Sequence, residues 1–336
     1  MVSLFKYIRG ILSRDYNVTN LTKILISLTI LSKVYSQVHI AVPLELSTGG
    51  FSIPTNLEVS KNKLKISQKF TLYSLDHPQE HYFVQHYARK NIALVAEVSA
   101  LQYNNETISV LIGRDYIKSG PTVLSAPIFS FSSPSLDQLS MHVKMLVNFE
   151  FEYRLIRLDD RIMDSKTYHR WFYYRRSSLN LTKKISIGVK DAVLASGVNR
   201  GIDFKYLNPG SIFQLDQLHY NSRYKVEGAN DDNQFIGFDI NYLTGKGERI
   251  YLDCAVDEFQ IDIKDRSHVQ DVFGITLGIE KTLKTGLVSI EYFYSSPWLY
   301  TNGGSFTNLE HEGYSLGYYS PHSHGINTYL ALDFKS

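Results

Sequence analysis

Leu179-Asn180-Leu181-Thr182-Lys183-Lys184-Ile185-Ser186-Ile187-Gly188-Val189-Lys190 is the stretch whose reading decides the fold. Leu179, Leu181, Ile185, Ile187 and Val189 share one parity, while Asn180, Thr182, Lys184, Ser186, Gly188 and Lys190 hold the other. Successive side chains of a strand point to opposite faces, so this segment has one apolar face and one polar face. The same split recurs outward from it. Ile236, Phe238, Ile240 and Tyr242 oppose Gly237, Asp239 and Asn241, and Ile250, Leu252, Cys254 and Val256 oppose Tyr251, Asp253, Ala255 and Asp257. Phe273 to Ile279 and Val288 to Tyr294 repeat it, as do Ile92 to Val98 and Phe149 to Leu155 earlier in the chain. The chain reads as all-β.

Alternation alone does not say which face meets water. A soluble sandwich buries its apolar face, whereas an outer-membrane barrel turns it to lipid as a band about 25 Å tall around a polar lumen. Three features favour the membrane. The alternating segments run to about 9–11 residues, the length of a tilted spanning strand. Aromatic residues cluster at strand ends, in Tyr168-His169-Arg170-Trp171-Phe172-Tyr173-Tyr174 and Tyr292-Phe293-Tyr294, where interfacial girdles are expected. Residues 1–36 read as a signal peptide, with Lys6, Arg9, Arg14 and Lys23 before the apolar run from Ile24 to Leu31. Export without a helical span predicts the outer membrane of a Gram-negative cell. The expected layout is therefore a leader at 1–36, an irregular periplasmic segment at 37–60, and a transmembrane antiparallel β-barrel over 61–336. A barrel of about 14 or more strands is too wide for strand side chains alone to fill its lumen. Polar connections at 117–138, 195–233 and 297–327 are available to plug it.

Composition narrows the function. With 35 Lys plus Arg against 33 Asp plus Glu, the formal net charge is +2, which gives no electrostatic footprint for nucleic acid. The single cysteine, Cys254, excludes an intrachain disulfide framework and any multi-cysteine zinc site. His311, His322 and His324 cluster with Glu310 and Glu312, but His322 and His324 lie in a Gly/Ser/Pro loop where histidines are usually solvated, and no metal or other cofactor is expected. No phosphate-binding glycine loop, nucleophile elbow or CxxC pair is present. Aromatic residues make up 13% of the chain, 24 of them tyrosines against 2 tryptophans.

Several blocks resemble the capsule-assembly Wzi-like family of outer-membrane proteins. Ile112-Gly113-Arg114-Asp115-Tyr116-Ile117-Lys118-Ser119-Gly120-Pro121 is similar to its "LGRDYLRWGPG" stretch, and Ser132 to Asp137 to its Ser/Pro loop. His169-Arg170 and Ile187 to Val193 resemble its "HR" and "lGlsEAV" blocks, with Asp191 in place of Glu. Tyr206-Leu207-Asn208-Pro209, Asp232-Asn233 to Asp239, and Asp257-Glu258-Phe259-Gln260-Ile261-Asp262 follow in the family's order. The chain is shorter than typical members, and Phe334 stands third from its end. The resemblance implies a non-catalytic, monomeric barrel lectin that holds capsular or other surface polysaccharide.

Sugar recognition calls for planar hydrogen-bonding groups beside aromatic faces. On that chemistry and the resemblance together, the candidate polysaccharide-binding residues are Arg114, Asp115, Arg170, Tyr206, Asn208, Gln217, Tyr220, Arg223, Asp232, Asn233, Asp239, Asp257, Glu258 and Gln260. Each also has a plainer reading. Arg114 beside Asp115 is expected to be an ion pair fixing a strand end, although arginine also clamps the carboxylates of acidic sugars. Asp253, Asp257 and Glu258 read as lumen charges answered by lumen Lys and Arg, ahead of a glycosidase pair. Residues 206–233 suit an ordered plug as well as a sugar surface. A diffusion channel, a carbohydrate-active enzyme and a soluble periplasmic β-protein remain the rival functions.

Overall fold

A computed structural model describes residues 37–41, 45–47, 50–74, 86–89, 92–213, 232–245, 247–258, 272–301, 305–318 and 320–332. The leader expected at 1–36 lies outside these residues. Fourteen antiparallel strands form the wall, in an outer-membrane β-barrel fold. They are β1 (Gln37–Ala41 and Glu45–Ser47), β2 (Gly50–Lys61), β3 (Leu64–Ser74), β4 (Ile92–Asn104) and β5 (Ile108–Asp115). They continue with β6 (Leu136–Leu146), β7 (Phe149–Arg157), β8 (Lys166–Asn180), β9 (Ile185–Val198) and β10 (Asn233–Leu243). The last four are β11 (Glu248–Glu258), β12 (Val272–Leu283), β13 (Gly286–Ser295) and β14 (Ser323–Leu332). Each strand pairs with its predecessor in this order, so the wall is an up-and-down meander. The pairing begins at Gln37, which corrects the expectation of an irregular segment at 37–60: both pieces of β1 hydrogen-bond to β2, and β2 pairs with β3 along its length.

Short turns join the strands at one end, such as Asn62-Lys63 and Lys284-Thr285, while the segments 75–91, 116–135, 158–165, 199–232, 259–271 and 296–322 connect them at the other. Outer-membrane barrels keep their short turns periplasmic and their long loops extracellular, which orients the chain with both ends of the wall at the periplasmic side.

Face by face, the apolar parity points outward. Val189 is 56% exposed and Phe238 47%, with Ile236, Ile240, Leu277, Ile279 and Ile290 also exposed. The opposite parity is the dry one: Lys190 and Asp239 are 1% exposed and Asp253 is fully buried. This is a soluble protein's arrangement turned inside out, as lipid outside and protein inside require.

The polar-lumen expectation needs one correction. Toward the extracellular end, the inward parity becomes apolar, through Ile156, Phe172, Ala192, Leu194, Phe235 and Ala255. These side chains pack with Ile117, Ile128, Phe129, Leu299, Tyr300, Leu316 and Tyr318, which come from the two longest described loops. A loop folded into a lumen must bury apolar surface to stay there, so the wall opposite it is apolar as well. The aromatic run at 168–174 is consequently no lipid girdle. Phe172 and Tyr174 point in, where Phe129 meets both rings edge-on at 5.7 and 5.0 Å. Tyr292 does face out, but Phe293 turns in and stacks on Tyr318 at 5.3 Å.

Candidate functional site

The lumen holds a plug, residues 116–135, and the wall is built to receive it. Ser119 reaches the carboxylate of Glu152 on β7 and the Tyr174 hydroxyl on β8, both at 2.7 Å. Gly120 rests on a buried ion pair between Lys190 of β9 and Asp253 of β11. A Cβ there would lie 3.0 Å from the Lys190 Nζ and 3.1 Å from Asp253 Oδ2, and its φ of +85° is one that suits glycine. Further along, Glu291 of β13 accepts the backbone N–H groups of Val123 (2.6 Å), Leu124 (3.1 Å) and Ser125 (2.6 Å), together with the Tyr251 hydroxyl (2.8 Å). Ser125 Oγ also meets Asn327 of β14 at 2.6 Å. The plug therefore touches the wall from β7 round to β14.

Below it, the charges are matched. Arg176 makes a two-pronged contact with Asp239, both arms 2.8 Å, and Lys190 lies 3.7 Å from the same carboxylate. Arg154 contacts Glu152 and Gln138, each at 2.5 Å. Buried charges are tolerated when paired and hydrogen-bonded in this way. The wall of β2–β4 is wetter: Glu58 pairs with Lys65 at 2.7 Å with both side chains partly solvated, and Lys69 pairs with Glu97.

At the mouth, Arg170 is fully buried and reaches the Phe306 carbonyl (3.0 Å), the Asn308 carbonyl and Asp159 (3.0 Å), which clamps the 296–322 loop over the plug. His311 accepts the Asp159 N–H at 3.0 Å, and Arg161 binds Glu310 at 2.8 Å. Burial by itself would raise the Asp159 carboxyl, but the His311 contact, a backbone hydrogen bond from Glu312, and Arg170 and Arg161 hold it down at about 2.

The predicted site residues scatter over this frame. Arg114 does not pair with Asp115. It forms a two-pronged bond to Asp137 on the outward face, the Nε arm at 2.8 Å, while Asp115 accepts the Tyr116 N–H. The cause is parity: neighbours along a strand point to opposite faces, whereas Arg114 and Asp137 are cross-strand partners. Asn233 binds the Thr307 carbonyl and Asp257 accepts the Tyr300 N–H, so both hold the 296–322 loop. Asp239 belongs to the lumen charge network. Tyr206, Asn208 and Asp232 lie together on the outer wall, where the Tyr206 hydroxyl donates to Asp232 at 2.7 Å. Gln217, Tyr220, Arg223 and Gln260 lie outside the described residues, as does the Glu258 side chain. Glu291, Glu152 and Tyr251 were missed; the available signal was an acid or tyrosine on the polar parity. Among the described residues, no group of three or more His, Cys, Asp or Glu is placed to hold a metal ion.

Fold and lumen together define an outer-membrane β-barrel of a Gram-negative cell, with the 116–135 and 296–322 loops packed inside. No protein-family model matches the sequence, and no curated protein does. Among solved structures, the chain is similar to Wzi of Escherichia coli, described as an outer membrane protein involved in group 1 capsule assembly and a carbohydrate-binding β-barrel. Identity is 11% and the TM-score 0.58, over 96% of this chain and 74% of that one, a likeness of fold. OmpT, an outer membrane protein of Vibrio cholerae, aligns at 9% identity and a TM-score of 0.41 over 88% of this chain and 94% of that one. The outer membrane protein OprD of Pseudomonas aeruginosa aligns at 11% and 0.32, over 84% and 76%.

Proposed function

We propose that this barrel binds a capsular or other surface polysaccharide non-covalently at its extracellular mouth and takes part in surface polysaccharide assembly. The observation that carries the reading is the plug. The 116–135 segment is seated by Ser119, Gly120 and three consecutive backbone donors against strands on most of the wall. A diffusion pore has no use for such an immobilised filling, whereas a receptor needs a rigid platform under its loops. The fold likeness to a carbohydrate-binding barrel and the sequence blocks that resemble the Wzi-like family support the same reading. The polar and aromatic residues of the 206–233 segment, Gln217, Tyr220 and Arg223 among them, are the proposed contacts, with Glu258 and Gln260 from the neighbouring loop.

The test pairs two measurements on the detergent-solubilised full chain. Retention on an array of bacterial surface polysaccharides, reduced by Tyr220→Ala and Arg223→Ala, is expected, alongside a silent planar bilayer. Steady, salt-dependent conductance with no glycan retention would make the protein a channel instead.

A further inference from the structure

The outward face carries charges near its extracellular rim, where Arg114, Asp137 and Arg157 share one row, and a further charged pair lies deeper. In the cross-strand row running through Met141, Tyr153, Arg175, Asp191, Ile236 and Val256, all facing out, only Arg175 and Asp191 are charged. Asp191 is the direct partner of Ile236, whose side chain belongs to the exposed apolar belt. The pair thus lies at the depth of that belt and not above it. An uncovered guanidinium and carboxylate in that position would face hydrocarbon, at a cost of about 2–4 kcal/mol for a basic residue near the midplane.

The chain covers them itself. Residues 199–213 leave the end of β9 and fold back down the outside of β7–β9. Tyr206 and Phe213 complete an apolar cluster with Tyr153, Leu155, Tyr173, Val193 and Ala195 of the wall. The Phe213 ring lies 3.6 Å from the Arg175 guanidinium, and the Phe213 N–H donates to Asp191 at 3.0 Å.

The flap's irregular backbone is also hydrogen-bonded from the wall. Tyr153 donates to the Tyr206 carbonyl at 3.2 Å, Trp171 to Arg200 at 3.2 Å, Arg175 to Asn208 at 3.0 Å and Gln234 to Phe213 at 3.1 Å. In the other direction, the Asp203 N–H reaches the Tyr173 hydroxyl at 2.7 Å. An extracellular loop in water has no need of outward wall donors. Irregular backbone at membrane depth does, because nothing else there satisfies it. The flap's far side matches this environment: Phe204 is 82% exposed and Ile212 53%, with Ile202 exposed beside them.

We infer that residues 199–213 are a lipid-embedded flap, which binds the acyl chains of the outer leaflet through Ile202, Phe204 and Ile212 and uses the Arg175–Asp191 pair as its polar clip. Phe213, from which the 214–231 segment departs, is thereby fixed on the lipid side of the rim. The inference stands whether or not the barrel binds a polysaccharide.

Site-directed spin labelling in lipid vesicles tests it. In a Cys254→Ala background, nitroxides are placed by Phe204→Cys and, separately, Ile212→Cys. Val189→Cys on the bare lipid wall and Phe131→Cys at the exposed tip of the plug serve as references, and each reference spectrum also reports folding. Collision with oxygen, which partitions into acyl chains, is compared with collision with a water-soluble nickel chelate. Labels at 204 and 212 are expected to match the Val189 reference, with an oxygen preference several-fold above that at 131. A profile like that at 131 would overturn the inference. Dipolar broadening between labels on two molecules would also overturn it, by assigning the surface to a second copy of the chain.

Discussion

Replacing Glu291 with glutamine removes one charge and one acceptor oxygen without changing the shape of the side chain. Glu291 holds the N–H groups of Val123, Leu124 and Ser125 and the Tyr251 hydroxyl at 2.6–3.1 Å. In Glu291→Gln a single carbonyl oxygen remains, and the amide N–H₂ turns a donor toward donors. At least two of the backbone contacts lose a charged acceptor. A hydrogen bond to a charged group is worth about 1.5–3 kcal/mol, so the plug loses about 3–6 kcal/mol of attachment at this strand. Since about 1.4 kcal/mol is tenfold in an equilibrium, the population of plug-displaced molecules rises at least a hundredfold. Single-channel recording reads this directly. Wild-type protein is expected to be quiet, with brief openings appearing in Glu291→Gln and more in Glu291→Ala. Tyr251→Phe, which removes one donor and leaves the carboxylate, is expected to open far less. If Glu291→Gln stayed as quiet as wild type and its 116–135 segment as protected from protease, the seating argument would be wrong.

Gly278 faces Tyr251 so closely that a Cβ would sit 2.3 Å from its ring, so Gly278→Ala should displace the tyrosine and raise channel openings by way of Glu291, with the wall strands left intact by circular dichroism. Lys190→Met leaves Asp253 buried beside Asp239 without its cation, and a loss of about 3–5 kcal/mol in urea unfolding is expected. Lys190→Met with Asp253→Leu should recover most of that loss; an equally unstable double variant would show that the pair is not the cause. Asp159 titrates at about 2 when folded, against 3.8 ordinarily. A depressed carboxyl stabilises above its unfolded value and loses that contribution as pH falls toward 2. The clamp on residues 305–313 should therefore weaken by about 2 kcal/mol between pH 5 and pH 2, seen as lower protection factors there, each rate taken relative to the intrinsic exchange rate at that pH, and not in β10–β13. Val189→Arg places a charge on the bare lipid face and should slow folding into vesicles, while a change without effect would mean that this face is not in lipid.

Parity fixed the fold class in advance. The Leu179–Lys190 alternation and its repeats required a two-faced sheet, and a period of two survives any tertiary arrangement. Of the three polar connections expected to plug the lumen, 117–138 and 297–327 supply side chains packed inside, whereas the described part of 195–233 lies along the outer wall, because Tyr206 and Phe213 pack on outward-facing apolar residues. Whether the apolar face met lipid or a core was decided only when Lys190, Asp239 and Asp253 were found inside and Val189 and Phe238 outside. The candidate site was legible in part. Asp239 was read on the polar parity and lies in the lumen charge network, Asp257 was expected to answer a lumen cation and accepts the Tyr300 N–H, and Arg114 was assigned to its neighbour Asp115 because sequence distance hides cross-strand register. Glu291 gave no local sign, since its partners at 123–125 lie more than 160 residues away.

The outward Arg175 and Asp191 stand in the apolar parity as apparent errors of pattern until the flap is seen on top of them. Local chemistry sets periodicity, turn positions and the sign of each face, because these depend on neighbours one or two residues apart. Which loop enters the lumen, and which lies along the outer wall, depends on burial and hydrogen-bond satisfaction across hundreds of residues. Only the folded chain brings those groups together.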